Sequence, residues 1–337
     1  MKAAVVGASG YLGAELLRLL AAHPILDVVA VQAESAAGEE VGALYPALAP
    51  AYRRTSFSEL DPASLAGCDV VFVAVPHGRS QGIVAGLVGA AGCVVDLGAD
   101  FRLKDPASYP RWYGFEHQAP ELLAEAAYGL VELDREPIRG ARLVAAPGCY
   151  VTAAALALAP LATAGAIERR GIVVDALSGT SGLGRAPSAR AHHAKVNESA
   201  VAYGLVDHRH TPEMEQAIGA EVIFTPHLVP MTRGILATCY ARAAGPTSSA
   251  EVGSLLREAY SGEPFVEVVE EPPATRDTYA ANTVRLAARH DERTGTTIVV
   301  AALDNLTKGG AGQAIQAANI ALGLPEAAGL PTVAVAP

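Results

Sequence analysis

Little in this sequence is suited to gripping a nucleic acid, a metal ion or a bilayer. Asp and Glu number 35 against 25 Lys and Arg, a formal net charge of −10, and the basic residues form no cluster. A polyphosphate backbone would be repelled on average. Aromatics are only 5% of the chain and form no RNP-like patch. The four cysteines, Cys68, Cys93, Cys149 and Cys239, show no C-x-x-C pairing, which excludes the usual zinc and disulfide frameworks and points to a reducing compartment. No metal site is expected. The longest apolar stretch, Val151 to Ile167, is Ala-rich and broken by Pro160, and no charged-then-apolar leader precedes the first strand, so a membrane partner is not expected and the location is expected to be cytoplasmic. A small anionic ligand remains compatible with the net charge, because a few local arginines and helix N-termini can set the potential inside a cleft.

What is abundant are small and aliphatic residues. Hydrophobic residues make up 51% of 337, with 33 Gly and 22 Pro, a composition suited to an α/β core of Ala, Val and Leu with frequent tight turns, at a length that favours two domains. Lys2 to Val6 reads as a strand, Gly7, Gly10 and Gly13 as a turn, and Leu16, Leu17, Leu19 and Leu20 as a helix face ending before His23-Pro24. Val28 to Val31 then completes a β-α-β unit. The continuous apolar runs Val70 to Val75 and Cys93 to Leu97 are those of strands covered on both faces. After Pro147-Gly148 the pattern changes to a helix from Cys149 to Ile167, strands at Ile172 to Ala176, Glu221 to Phe224, Ile235 to Arg242, Asn282 to Ala288 and Thr296 to Leu303, and a closing helix from Ala311 to Leu322. The expected fold is α/β: a doubly wound parallel sheet plus an α+β mixed-sheet domain. The first domain is expected over 1–148 and the second from residue 149.

Three segments carry chemistry. In Gly7-Ala8-Ser9-Gly10-Tyr11-Leu12-Gly13 glycines stand where a backbone must approach a pyrophosphate, at a helix N-terminus that supplies free N–H groups; the bland alternative is an ordinary turn between strand and helix. The residues after the second strand, Gln32-Ala33-Glu34-Ser35, leave the cofactor open: Ser35 could donate to the 2′-phosphate of NADP, whereas an inward Glu34 would repel it, and Glu34 could equally be a surface residue. Cys149, in Pro147-Gly148-Cys149-Tyr150 at the start of a helix, is the candidate nucleophile because the helix dipole favours a thiolate; Cys68, Cys93 and Cys239 lie in apolar runs and read as small buried hydrophobes. An acid/base partner is available in Asp207-His208-Arg209-His210-Thr211-Pro212-Glu213. Thr211, Pro212 and Glu213 also make a good helix entry, which leaves the two histidines unexplained.

Together, Pro-Gly-Cys-Tyr at Cys149, Ser178-Gly179-Thr180-Ser181-Gly182 and His208 to Glu213 resemble the N-acetyl-gamma-glutamyl-phosphate reductases of arginine biosynthesis. The likeness runs nearly end to end, through Pro76-His77-Gly78, Asp96 to Arg102, His227 to Gly234 and Asp304 to Gly309. It implies a Rossmann-type cofactor domain completed by the C-terminal helix of 311–337, an inserted mixed-sheet catalytic and oligomerisation domain over 149–310, and NADPH-dependent reduction of a small-molecule acyl phosphate through a Cys149 thioester, by a homo-oligomer (dimer or tetramer). His208 would be the acid/base, with His210 its alternative within the motif, Glu213 the orienting carboxylate, and Ser178 a catalytic loop residue. Cofactor contacts are implied at Gly7, Ser9, Gly10, Tyr11, Gly13, Ser35, Pro76, His77, Gly78, Asn305, Lys308 and Gly309, and substrate-anion contacts at Arg102, Ser181, Arg185 and Arg233. Glu34 and Lys195 depart from the family pattern; Glu34 stands where a basic or small residue is common. The rival readings are the lysine-pathway reductase of carrier-linked aminoadipyl phosphate, aspartate-semialdehyde dehydrogenase, and a non-catalytic dinucleotide sensor.

Overall fold

A computed structural model describes residues 1–336. The chain divides into two compact units, one of Met1–Pro147 with Gly310–Leu330, the other of Gly148–Gly309 with the tail from Pro331.

The first unit is built on a six-stranded parallel sheet in the order β2-β1-β3-β4-β6-β5, formed by β1 (Lys2–Val6), β2 (Asp27–Gln32), β3 (Val70–Val73), β4 (Cys93–Asp96), β5 (Ala127–Tyr128) and β6 (Leu143–Ala145). Every residue of β3, β4 and β6 is buried, which requires cover on both sheet faces and explains their unbroken apolar runs. The helix Tyr11–Leu20 turns Leu16, Leu17, Leu19 and Leu20 inward, the 3.6-residue spacing visible in the sequence. The closing helix, Gly312–Ala321, is buried from Gly312 to Ile320 and packs against β4 and the first helix. Burial on all sides demands that its polar side chains find partners. Gln313 donates to Gly129 O (2.9 Å), Gln316 to the Glu132 carboxylate (2.8 Å), and Asn319 to the carbonyls of Glu326 and Ala328 (3.0 Å each). The expected extent of this C-terminal completion, 311–337, is too long: from Pro331 the chain groups with the second unit, where Pro331 O accepts from Asn282 N and Val335 N donates to Tyr279 O.

The second unit holds a seven-stranded mixed sheet, β11-β12-β13-β10-β7-β9-β8. Its strands are β7 (Ile172–Ser178), β8 (Val201–Ala202), β9 (Val222–Leu228), β10 (Ile235–Arg242), β11 (Val266–Val268), β12 (Val284–Asp291) and β13 (Thr296–Leu303). Antiparallel ladders join β12, β13, β10 and β7, with Ile235 opposite both Leu303 and Ser178. Burial alternates along β7, β9 and β10, so only one face of the sheet is covered. The helix Cys149–Thr163 is buried almost throughout from Tyr150 to Ala162; it stops short of the expected Ile167 because Gly165 turns the chain at φ +67° and Ile167 bridges to Ala243. The short strands β5, β6, β8 and β11 were not anticipated, since two or three residues establish no period.

Gly13 is required by packing alone. A Cβ there would lie 2.5 Å from Ala8 Cα and 2.5 Å from Gly7 O, and backbone atoms cannot swing aside. Gly13→Ala is expected to lower the unfolding free energy by about 1–3 kcal/mol, read from urea denaturation. A variant as stable as the parent would show that the turn yields freely.

Candidate active site

The first candidate site is the turn after β1. Gly7 and Ala8 both donate their N–H to Gln32 O, at 2.9 and 3.0 Å, tying the turn to the end of β2. Gly7 is left-handed (φ +77°), and a Cβ on it would meet Ala74 O at 2.3 Å. Gly10 differs. It is the N-cap of the first helix in extended conformation, without a capping side chain, and a Cβ there would touch only Gly7 O at an ordinary 3.5 Å. Its lack of a side chain leaves unpaired helix amides open to something outside the chain, and these residues fit a pyrophosphate. Ser9 Oγ and Ser35 Oγ lie 3.5 Å apart beside the turn, and Tyr11 follows Gly10 at the start of the helix, 36% exposed.

Glu34 points outward into a two-pronged ion pair with Arg79, at 2.8 and 2.9 Å. Arg79 extends the exposed Pro76-His77-Gly78 segment after β3. This segment is held from beneath by Asp100, whose buried carboxylate accepts from the backbone N–H of Gly78 (2.7 Å), Ser80 (3.0 Å) and Gln81 (3.3 Å). Burial, with Asp100 nearby, raises the Asp96 carboxyl to about 7. Arg102, expected to meet the substrate anion, is buried and donates to Ala146 O (2.8 Å) and Leu97 O (3.0 Å), bracing the loops after β4 and β6.

The second site lies at the head of the Cys149–Thr163 helix. Gly148 is the N-cap, again without a capping side chain. Its N–H donates to Glu213 Oε1 at 2.9 Å, and Glu213 is fully buried. The His210 ring lies against Gly148, so closely that a Cβ there would stand 2.6 Å from His210 Nε2; a Cβ on Gly309 would meet Cys149 Cβ at 2.8 Å. Both glycines therefore make room around the cysteine. Cys149 is half-buried, unlike the other three; burial raises the Cys68 thiol and pushes those of Cys93 and Cys239 up to about 12, which fits small buried hydrophobes.

His208 sits one layer away, ringed by Tyr150, Tyr203, Phe224 and His210 at centroid distances of 5.8, 5.7, 5.0 and 4.9 Å. Its Nδ1 accepts from His210 N at 3.1 Å. Burial, reinforced by the Arg209 charge, lowers it to about 4, so at neutral pH it is an uncharged imidazole with its proton on Nε2. Tyr150, the last residue of the Pro-Gly-Cys-Tyr motif, and Tyr203, which lies outside the motifs, share a hydroxyl contact of 3.0 Å. The Glu213 carboxylate accepts from the Gly148 amide; the sequence motif had suggested it as the orienting partner of His208.

The remaining expected residues are mostly braces of the second unit. Ser178, 2% exposed at the end of β7, donates to Gly179 O at 3.1 Å. Asn305 accepts from Gly234 N (2.7 Å) and donates to Ser181 Oγ (2.9 Å), fixing two loops to each other. Arg233 reaches Asp304 Oδ1 at 2.9 Å and Thr307 Oγ1 at 3.0 Å. Lys308 is fully buried, its Nζ 5.3 Å from the centre of the Phe265 ring. Arg185 is half-buried. Among the described residues no group of three His, Cys, Asp or Glu could hold a metal ion, and no helix is long and apolar enough to cross a membrane.

Two family models match the chain: the semialdehyde dehydrogenase NAD binding domain over residues 2–141 and the semialdehyde dehydrogenase dimerisation domain over residues 149–305. The sequence is 48% identical to an N-acetyl-gamma-glutamyl-phosphate reductase of Symbiobacterium thermophilum, covering 98% of this chain and 97% of the relative. It is also 48% identical to one of Alkalilimnicola ehrlichii, covering 99% and 98%. Among solved structures, aspartate semialdehyde dehydrogenase II of Vibrio cholerae shares the fold with a TM-score of 0.71 at 17% identity, over 95% of this chain and 97% of that one. The Candida albicans aspartate semialdehyde dehydrogenase with NADP gives a TM-score of 0.66 at 19% identity, over 96% and 99%.

The buried His208 carries a pH consequence. Its folded value, about 4, lies below the roughly 6.5 of an unfolded chain, so as pH falls the unfolded chain takes up the proton first. The stability tied to a neutral His208 is therefore complete above about pH 6.5 and declines until about pH 4. Between pH 6.5 and 5 the loss should approach about 2 kcal/mol. His208→Asn should flatten this slope in urea titrations; an undiminished slope would place the titration elsewhere.

Proposed function

Because the chain belongs to the N-acetyl-gamma-glutamyl-phosphate reductase family of semialdehyde dehydrogenases, we propose that it reduces N-acetyl-L-glutamyl 5-phosphate to N-acetyl-L-glutamate 5-semialdehyde and phosphate through a thioester on Cys149. The observation that carries this reading is the placement of Cys149: half-buried, first residue of a helix whose N-cap lacks a side chain, with the His210 ring against the preceding glycine. The helix N-terminus favours the thiolate, and its first-turn amides, which no side chain caps, are suited to an oxyanion. The Cys149 sulfur attacks the acyl carbon, and the C–O bond to phosphate breaks to leave the thioester. When bound, a nicotinamide dinucleotide would supply the hydride that reduces the thioester carbonyl carbon. Collapse of the resulting hemithioacetal breaks the C–S bond, and the sulfur leaves as thiolate.

We assign the proton-handling role to His210. Its ring is the imidazole beside Gly148, while His208, neutral and enclosed by aromatic rings, accepts the His210 amide. Glu213 then acts by pinning the Gly148 amide, a positioning role. The dinucleotide would be held by the Gly7–Gly10 turn, with Ser9 and Ser35 toward the ribose; NADP is the proposed form. A second copy is the proposed cover for the outer sheet face of the second unit, where Val173, Leu177, Leu236, Tyr240, Ile298 and Val300 are half-buried or exposed.

The reading is tested by running the reaction backwards, as phosphate-dependent reduction of NADP by N-acetylglutamate 5-semialdehyde. No turnover with that aldehyde would sink it. Cys149→Ser should abolish turnover. His210→Asn should cost about 10²–10⁴ in kcat and His208→Asn distinctly less; the reverse order would return the acid/base role to His208. For Glu213, replacement by Ala leaves the Gly148 N–H without its buried acceptor, and a displaced turn can cost about 10² in kcat. Gln at that position keeps an acceptor and should retain most of the rate, whereas equal losses in both variants would mean the charge itself is needed.

A further inference from the structure

The ribose end of the dinucleotide site poses a charge problem. In a Rossmann unit the residues following the second strand meet the adenosine ribose, and a 2′-phosphate there needs a cation. From Gln32 to Glu40 this chain has three acids, Glu34, Glu39 and Glu40, and no Lys or Arg. The cation must come from another element.

The sheet order places β2 and β3 on either side of β1, so the loops at the carboxyl ends of β2 and β3 flank the glycine turn. From the β3 side Arg79 reaches Glu34 with both guanidinium nitrogens, Nη1 to Oε2 at 2.8 Å and Nη2 to Oε1 at 2.9 Å. The two side chains are 54% and 62% exposed, so solvent screens the pair and the guanidinium can exchange partners. The backbone beneath it is not free to move: Asp100 holds the amides of Gly78, Ser80 and Gln81, and Gly78, at φ +80°, lies against Phe115. A fixed backbone with an unlocked, fork-shaped cation is the arrangement that receives a phosphate. Ser35, adjoining Glu34, and Ser9, 3.5 Å from it, add hydroxyl donors.

We propose that Arg79 is the residue that recognises the 2′-phosphate of NADP, with Glu34 as its resting partner and competitor. This rests on the reading of the glycine turn as a dinucleotide site. Glu34 holds the guanidinium near the ribose when no phosphate is present, and a 2′-phosphate takes it over. The preference for NADP over NAD is then set by the difference between the two partners, so removing either residue moves it in opposite directions.

The experiment is direct binding by calorimetry, without turnover, of NADP, NAD and 2′,5′-ADP. In Arg79→Ala the Kd for NADP and 2′,5′-ADP should rise about tenfold or more while that for NAD changes less than about threefold. Arg79→Lys should recover part of the loss, and Glu34→Gln should tighten NADP relative to NAD. An unchanged NADP-to-NAD affinity ratio in Arg79→Ala overturns the proposal and leaves the dinucleotide reading standing. Failure of the parent protein to bind any of the three overturns both.

Discussion

A single hydrogen bond stands at the centre of the second unit: the Gly148 amide donating to the buried carboxylate of Glu213. The helix Cys149–Thr163 is buried on nearly all sides, so the helix cannot tilt, and its head is the point where it can be aimed. A helix N-terminus normally has its amides satisfied by a capping side chain. Gly148 supplies none, and an acid from a distant helix fastens the cap residue by its own N–H instead. This leaves the first-turn amides without a side-chain cap, with Cys149 the first residue of the helix. The same glycine lets the His210 ring approach, which any Cβ would prevent.

Buried acids serve as anchors elsewhere too. Asp100 takes three backbone amides under the loop after β3. Asp304 accepts from Leu306 N, Thr307 N and Ala280 N as well as from Arg233. A carboxylate out of water needs several donors to remain charged, and amides at the ends of strands and the starts of helices have no ladder partner. Each requirement meets the other, and loops that would otherwise wander become rigid. That explains why Arg102 and Asn305 serve as buried braces: the residues that fasten a loop occur in the same short motif as those it presents, and the sequence does not separate them.

The longer strands of both sheets, the two-unit division after Pro147 and the place of Cys149 at a helix start were legible because each follows from local rules: continuous or alternating apolar runs, glycine turns, and a Pro-Gly pair before a helix. The three buried cysteines were legible for the same reason, lying as they do inside apolar runs. Which histidine lies against Gly148 was not, since His208 and His210 are two residues apart in one motif. Nor could the sequence pair Glu34 with Arg79, 45 positions away, or show that Glu213 holds an amide of the Cys149 helix. Periodicity and turn chemistry act over a few residues and are written in order along the chain. The direction in which a charged side chain finds its partner is decided by strands brought side by side, and only the assembled sheet supplies that.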